Sequence, residues 1–441
     1  MKLIYNTIRL TMLTIALLCA FSSTAHAQST VVEESCDPHR TRLIPYPTAA
    51  SAAERGLEQQ RYMQPLTAWT TTAEGSLHSE FTYPFSWVER QIFARVEPMG
   101  QPYELYINGR RAGASTNGFA AAEFNITKIS NEEDNSIAIR IFKEHWSQRL
   151  HNEATAEARL GKVYVLSQPT IRVRDVVHHT SLDVTGENAN VEVGIVVKTE
   201  SLNAKKARIH YELVAADTTI TTYGHRDITL RMRGEDTIKF MARIPSHELW
   251  SAEKPTRYRI NIMTQIEGRK VEFQSHWVGF RSVEQRDDKV YINGKPAAFA
   301  FAVCDPKRDF AVEITAARQR GKNAVHFTSL AVPQSAYNLC DSLGMYVVAA
   351  VPINTSESGS SRRIGGNESN NPAWNAAFLT LAESAWRTTC GFAGVVAYTI
   401  ANDSANGINL YESYLHLKKL ESQRPIIYRD SAGEWNSDNI F

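Results

Sequence analysis

The sequence has few cysteines, almost no net charge and, after its N-terminal stretch, no long apolar run. Its five cysteines are Cys19, Cys36, Cys304, Cys340 and Cys390. They lie too far apart for any zinc-binding spacing; no metal site and no cofactor are expected. Lys and Arg total 48 against 47 for Asp and Glu. Without a basic excess or a basic block, the chain is not a dedicated nucleic-acid binder; Arg362-Arg363 is an isolated pair in a Ser/Gly-rich loop. No stretch beyond the N-terminus reaches the roughly 20 apolar residues of a membrane span.

What is present is ordinary globular composition, 43% hydrophobic and 22% charged over 441 residues, enough for two to four domains with cores of their own. Lys2 and Arg9 precede a largely apolar run from Leu10 to Phe21, and Ala25-His26-Ala27 offers a cleavage site. This is the pattern of a secretory signal. The bulky Leu18 before Cys19 is a poor fit to a lipoprotein signal. Residues 1–27 are therefore expected to be removed and the protein exported, to the periplasm, the outer membrane surface or the medium. Export permits a disulfide from Cys304 to Cys340 or Cys390; unpaired buried thiols are the other reading.

From Leu77 to Leu166 the signals are β. Tyr103 to Ile107 alternates and runs into Asn108-Gly109, a hairpin turn. Ile137, Ile139 and Ile141 share one face of the next strand. Strand signals continue to Phe280 at 8–12 residue spacing, with Val191–Val197, Ala207–Leu213 and Tyr258–Ile262 the best candidates. After Pro296 the pattern becomes alternating strand and helix, which predicts a parallel sheet with right-handed crossovers. Strands are expected at Ala297–Val303, Asn323–Phe327, Met345–Val351, Val395–Ala401 and Ile426–Tyr428, and Asn439-Ile440-Phe441 offers a sixth.

The stretch Val395 to Ser404 holds the candidate site. An apolar run ends in Asn402-Asp403-Ser404, where a barrel strand would present catalytic side chains. This pattern resembles W-S-x-G-N-E-S of the β-galactosidases in glycoside hydrolase family 2, with Tyr398 for Trp, Ala401 for Gly and Asp403 for Glu. Other segments carry the same resemblance. Leu105 to Gly113 followed by Glu123 to Thr127 is similar to V-W-V-N-G-x-x-V-G … E-F-D-I-T, with Trp146-Ser147 after it. Leu249 to Pro255 is similar to L-W-S-A-E-x-P, Val278 to Arg281 to V-G-F-R, Ile292 to Pro296 to x-N-G-K-P, and Leu339 to Val347 to L-C-D-x-x-G-L-Y-V.

The resemblance implies a multidomain fold: two antiparallel β sandwiches followed by an incomplete (β/α) TIM-type barrel. The units would be a jelly-roll, sugar-binding-like domain over 28–168, an immunoglobulin-like sandwich over 169–281 and a partial barrel over 282–441. Trp250, in the best-preserved motif, is expected to anchor the second sandwich on the barrel.

It also implies a retaining glycosidase site, which needs two carboxyls about 5–5.5 Å apart. The 160 residues from Ser282 to Phe441 are fewer than the about 250 of a whole barrel, and strand seven, which would carry the nucleophile, has no counterpart. Asp403 stands one carbon short at the acid/base position. It reads either as a shortened acid or as a helix N-cap or turn Asp, and the second reading is favoured. Asn402 stands where the family holds the sugar. His326, in place of an Arg, is a weaker sugar-binding candidate and reads equally as a packed histidine. The family's metal ligands fall near Asn354 to Ser356, its R-H-E-H segment at Asp305 to Arg308, a histidine at Ser329, and its sugar-contacting residues in Asn152 to Thr155; none is retained. Asn367-Glu368-Ser369 spells N-E-S but lacks a preceding strand and reads as loop.

Two main expectations follow. In the first, this is a catalytically silent β-galactosidase-like protein that binds a glycan or a protein partner at the cell envelope. In the second, it is a working glycosidase on β-galactosides or related β-glycosides, completed by a partner chain. A piece of a longer enzyme is a third. The open side of a partial barrel leads us to expect a homo-oligomer or an envelope protein partner.

Overall fold

The computed structural model describes residues 37–38, 43–54, 61–142, 149–151, 160–286, 288–304, 308–327, 332–428 and 437–438. The expected export signal, Cys36, Trp146-Ser147, residues 152–155, 305–307, Ser329 and 439–441 lie outside the described residues.

Alternation builds the first unit. Tyr103–Ile107 buries every second side chain. Its turn residues Asn108 and Gly109 both adopt positive φ, 50° and 73°, the pairing a two-residue hairpin needs. The chain returns as Arg110–Ser115. These strands join Thr70–Thr71, Leu77–Phe81 and Asn135–Ile141 in a five-stranded sheet. A second five-stranded sheet contains Gln91–Val96, Ala122–Asn125 and Val163–Gln168, with Asp37–Pro38 and Met63–Leu66 at its edges. The core between them holds Trp87, Leu105, Phe124, Ile137 and Ile139.

The second unit pairs a three-stranded sheet, Ile171–Leu182, Asn188–Thr199 and Glu235–Pro245, with a four-stranded one. The latter is ordered Ile220–Leu230, Lys205–Val214, Tyr258–Ile266, Arg269–Val278. Its core is aliphatic, built on Val191, Ile195, Ile209, Leu213 and Ile260. Buried charge joins it to the first unit: Arg172 donates to Glu123 at 2.9 Å, and Arg90 meets Glu272 at 3.4 Å.

The third unit is a five-stranded parallel sheet in sequential order. Its strands are β1 (Phe301–Ala302), β2 (Ala324–Phe327), β3 (Tyr346–Ala350), β4 (Val395–Thr399) and β5 (Ile426–Ile427). The connecting helices are α1 (Phe310–Gln319), α2 (Gln334–Leu343), α3 (Asn375–Thr389) and α4 (Ile408–Leu420). Asp309 caps α1 by accepting from the amides of Ala311 and Val312. β3 and β4 are almost wholly buried, as expected for parallel strands covered by helices.

β1 is shorter than the apolar run Ala297–Val303 predicts. The Asn323 side chain bonds Ala300 N–H at 2.7 Å and Ala298 C=O at 2.9 Å, so an amide group replaces the ladder there. Among the described residues the sheet is open, with β1 and β5 as its edges. Cys304, Cys340 and Cys390 are all free; the disulfide expected as one alternative is not formed among them.

Trp250 is fully buried where sandwich meets barrel. It packs with Ala324, Tyr346, Ala393 and Val396, and its indole N–H donates to the Asp341 carbonyl at 2.8 Å.

Candidate functional site

The carboxyl ends of β2, β3 and β4 and the segments after them form the candidate site. Side chains alternate across β2, so Val325 and Phe327 face the helix layer while His326 faces the other way. The His326 imidazole meets the Thr399 hydroxyl at 3.1 Å through Nε2. The structure thus unites one sequence candidate, His326, with the last residue of β4.

Asn402 follows three residues later, half-buried. Its backbone amide donates to the Ile353 carbonyl at 2.8 Å, which ties the segment after β4 to the segment after β3. Asp403 then takes φ 45°, a left-handed conformation that Asp tolerates better than most residues. Its carboxylate is exposed, and among the described residues nothing forms a hydrogen bond or ion pair with it. α4 begins at Ile408 behind Gly407, which gives no side-chain cap. Asp403 is therefore a turn residue and not a helix cap.

Ser404 is the residue the surrounding contacts fix. Its hydroxyl accepts from the Thr355 amide at 2.9 Å and donates to the Asn402 carbonyl at 3.1 Å. Its own carbonyl accepts from the Tyr428 hydroxyl. Thr355 Oγ1 in turn lies 3.2 Å from Ser369 Oγ.

That last contact brings in the segment read from sequence as loop. Glu368–Asn370 forms one 3₁₀ turn, and it packs against the residues after β4. Asn409 donates to the Glu368 carbonyl at 2.7 Å, and Asn370 to the Asn406 carbonyl at 3.0 Å. The Glu368 side chain is 1% exposed, a costly place for a carboxylate unless it is paired. Its partner is Arg149, contributed by the first unit, whose guanidinium also lies over the Trp374 ring, 5.5 Å from its centroid.

Arg149 belongs to a three-residue contact that sequence reading missed. Leu150 is fully buried beside Val351, Ile353 and Phe378, and its carbonyl accepts from Asn354 N–H at 2.7 Å. His151 is 6% exposed, edge-on to Phe119 with centroids 4.2 Å apart. Burial pushes its pKa down to about 3, opposed only by the Pro352 carbonyl. The one available signal was position: these residues follow Trp146-Ser147 after a single intervening residue, Gln148. Beside them, Phe119, Asn117, Gln334, Pro352 and Ser384 line a cavity of about 40 Å³, room for about three waters.

Among the described residues no cluster of three or more His, Cys, Asp or Glu converges.

Two sandwiches ahead of parallel β/α units, with polar residues gathered at the strands' carboxyl ends, define a class of multidomain protein that ends in an incomplete TIM-type barrel. Residues 171–281 match Glycosyl hydrolases family 2, and residues 283–441 match Glycosyl hydrolases family 2, TIM barrel domain; the chain belongs to this family. Among curated relatives, a beta-galactosidase of Priestia megaterium is 22% identical over 406 residues, covering 87% of this chain and 39% of the relative. A beta-galactosidase of Psychromonas ingrahamii is 24% identical over 391 residues, covering 83% and 37%. The chain thus spans less than half the length of these relatives.

Solved structures share the fold. A β-glucuronidase of Bacteroides uniformis aligns with TM-score 0.68 at 16% identity, covering 89% of this chain and 48% of that one. A β-galactosidase-class protein of Bacteroides fragilis aligns with TM-score 0.68 at 15% identity, covering 92% and 66%.

Proposed function

We propose that this family 2 protein is exported and does not itself hydrolyse glycosides, acting instead as a glycan- or protein-binding component of the cell envelope. The observation that carries the reading is the state of Asp403. A general acid must be held within hydrogen-bond reach of the glycosidic oxygen, and misplacement of about 1 Å costs roughly a hundredfold. Asp403 is one carbon shorter than the family's Glu, and its carboxylate is exposed, with no side chain among the described residues orienting it. The buried carboxylate at this end of the barrel, Glu368, is engaged by Arg149 and sealed from solvent. Neither carboxylate, the one unheld and the other bound to Arg149, is set for the two-carboxylate chemistry of a retaining glycosidase.

The test is an assay of the purified protein on aryl β-galactosides and aryl β-glucuronides beside Asp403→Ala. The expected result is no turnover above the variant's. Turnover that disappears in Asp403→Ala would establish the competing reading, an active glycosidase on β-galactosides or related β-glycosides.

A further inference from the structure

The outer face of the second sandwich carries a histidine pair with no part in the barrel site. His210 on Lys205–Val214 lies directly opposite His225 on Ile220–Leu230, the edge strand of its sheet. Directly opposed residues hold their Cβ atoms about 4.5–5.5 Å apart, and here the ring centroids are 5.3 Å apart with planes at 37°. His210 is half-buried and His225 exposed.

A third strand orients the inner ring. His210 Nε2 lies 3.2 Å from Gln265 Oε1 on Tyr258–Ile266. An amide oxygen only accepts, so Nε2 carries the hydrogen and the lone pair rests on Nδ1. Metal-binding imidazoles are held this way, their second nitrogen donating to an oxygen. In the next row Arg208 and Asp227 form a two-pronged ion pair at 2.7 and 2.9 Å. That pairing compensates the guanidinium charge beside the histidines.

We propose that His210 and His225 form a two-histidine chelate for a divalent late transition ion, copper(II) or zinc(II), with water completing the coordination. Neutral imidazole suits both ions, copper binding more tightly. Metal–nitrogen bonds of about 2.0–2.1 Å added to a ring radius of roughly 1.1 Å make centroids 5.3 Å apart subtend about 115° at a shared ion, near the tetrahedral angle. Because no third His, Cys, Asp or Glu among the described residues joins the pair, the site is open and exchangeable. The ion would bridge the edge strand to its neighbour and stabilise the sandwich by mass action.

The test is calorimetric titration of the purified protein with copper(II) and zinc(II) salts, with magnesium as the control ion. One copper or zinc per chain is expected, and no magnesium. His210→Ala and His225→Ala should each lose that ion, whereas His247→Ala, at an exposed site elsewhere, should keep it. Gln265→Leu should weaken copper binding about tenfold without changing the stoichiometry. His225→Asn provides a second, more conservative variant should His225→Ala fail to fold. Copper should raise the melting midpoint of the wild type and not that of the histidine variants. Absence of stoichiometric binding, or binding that survives both histidine variants, would overturn the assignment.

Discussion

Glu272 is 1% exposed, and burial pushes its pKa up to about 7 against the opposing pull of Arg90 and Arg172. Below its ordinary value of about 4.5 the carboxyl is protonated in both the folded and unfolded chain. Between 4.5 and 7 the folded protein holds a proton that the unfolded chain has released, so stability falls as pH rises through this window. The size of the effect is on the order of a few kcal/mol. His151 acts on the acid side with the opposite slope. Its folded pKa is held down to about 3, so its neutral burial contributes fully above 6.5 and is lost as pH falls toward 3. Melting midpoints measured from pH 4 to 8 should therefore show Glu272→Gln flattening the decline above 4.5, its gain over the wild type growing up to pH 7. A variant whose curve stays parallel to the wild type's would show that Glu272 remains ionised through its pairing with Arg90.

At the scale of elements, the junction between sandwich and barrel rests on the residues around Trp250. Gly279 lies so close that an added Cβ would stand 2.8 Å from the indole and 2.7 Å from the Ala393 methyl. Trp250→Ala opens a cavity that neighbouring strands cannot fill, with an expected cost of about 3–5 kcal/mol. Gly279→Ala overpacks the same contact, at about 1–3 kcal/mol. Thermal unfolding of the two single variants and the double variant checks this; because the side chains touch, their losses should not add. This junction was legible in the sequence through the resemblance of Leu249 to Pro255 to the family's L-W-S-A-E-x-P motif. So were β3 and β4, whose continuous apolar runs suit a sheet covered on both sides. β1 was not, because the Asn323 side chain that supplants its ladder becomes a competitor only once β2 stands beside it. The site was legible in part. The turn at Asp403 could be read from Asn402-Asp403-Ser404, but the burial of Glu368 depends on Arg149 from another domain, which no local pattern reveals.

At the scale of the whole molecule, the parallel sheet is the element that remains open. β1 and β5 each have one neighbour among the described strands. The outer edge of β5 is met by Ser437 and Asp438, which bond Ile426 N–H and C=O and Tyr428 N–H, so the free edge is that of β1, a template for further pairing. The β1 edge is also apolar: Val303, directly after it, is 92% exposed, beside a half-buried Phe301. We propose that further polypeptide covers the β1 edge, from a second copy of the chain or from an envelope partner. For the purified protein alone the second copy is the occupant available, so light scattering should give a mass above that of one 49.5 kDa chain. Hydrogen exchange at Phe301–Ala302 should slow as protein concentration rises. Charged substitution at the exposed apolar position, Val303→Lys, should return the mass to one chain without changing the melting of the two sandwiches. A monomer whose edge amides are fully protected at every concentration would refute the proposal, since protection would then have to come from within the chain.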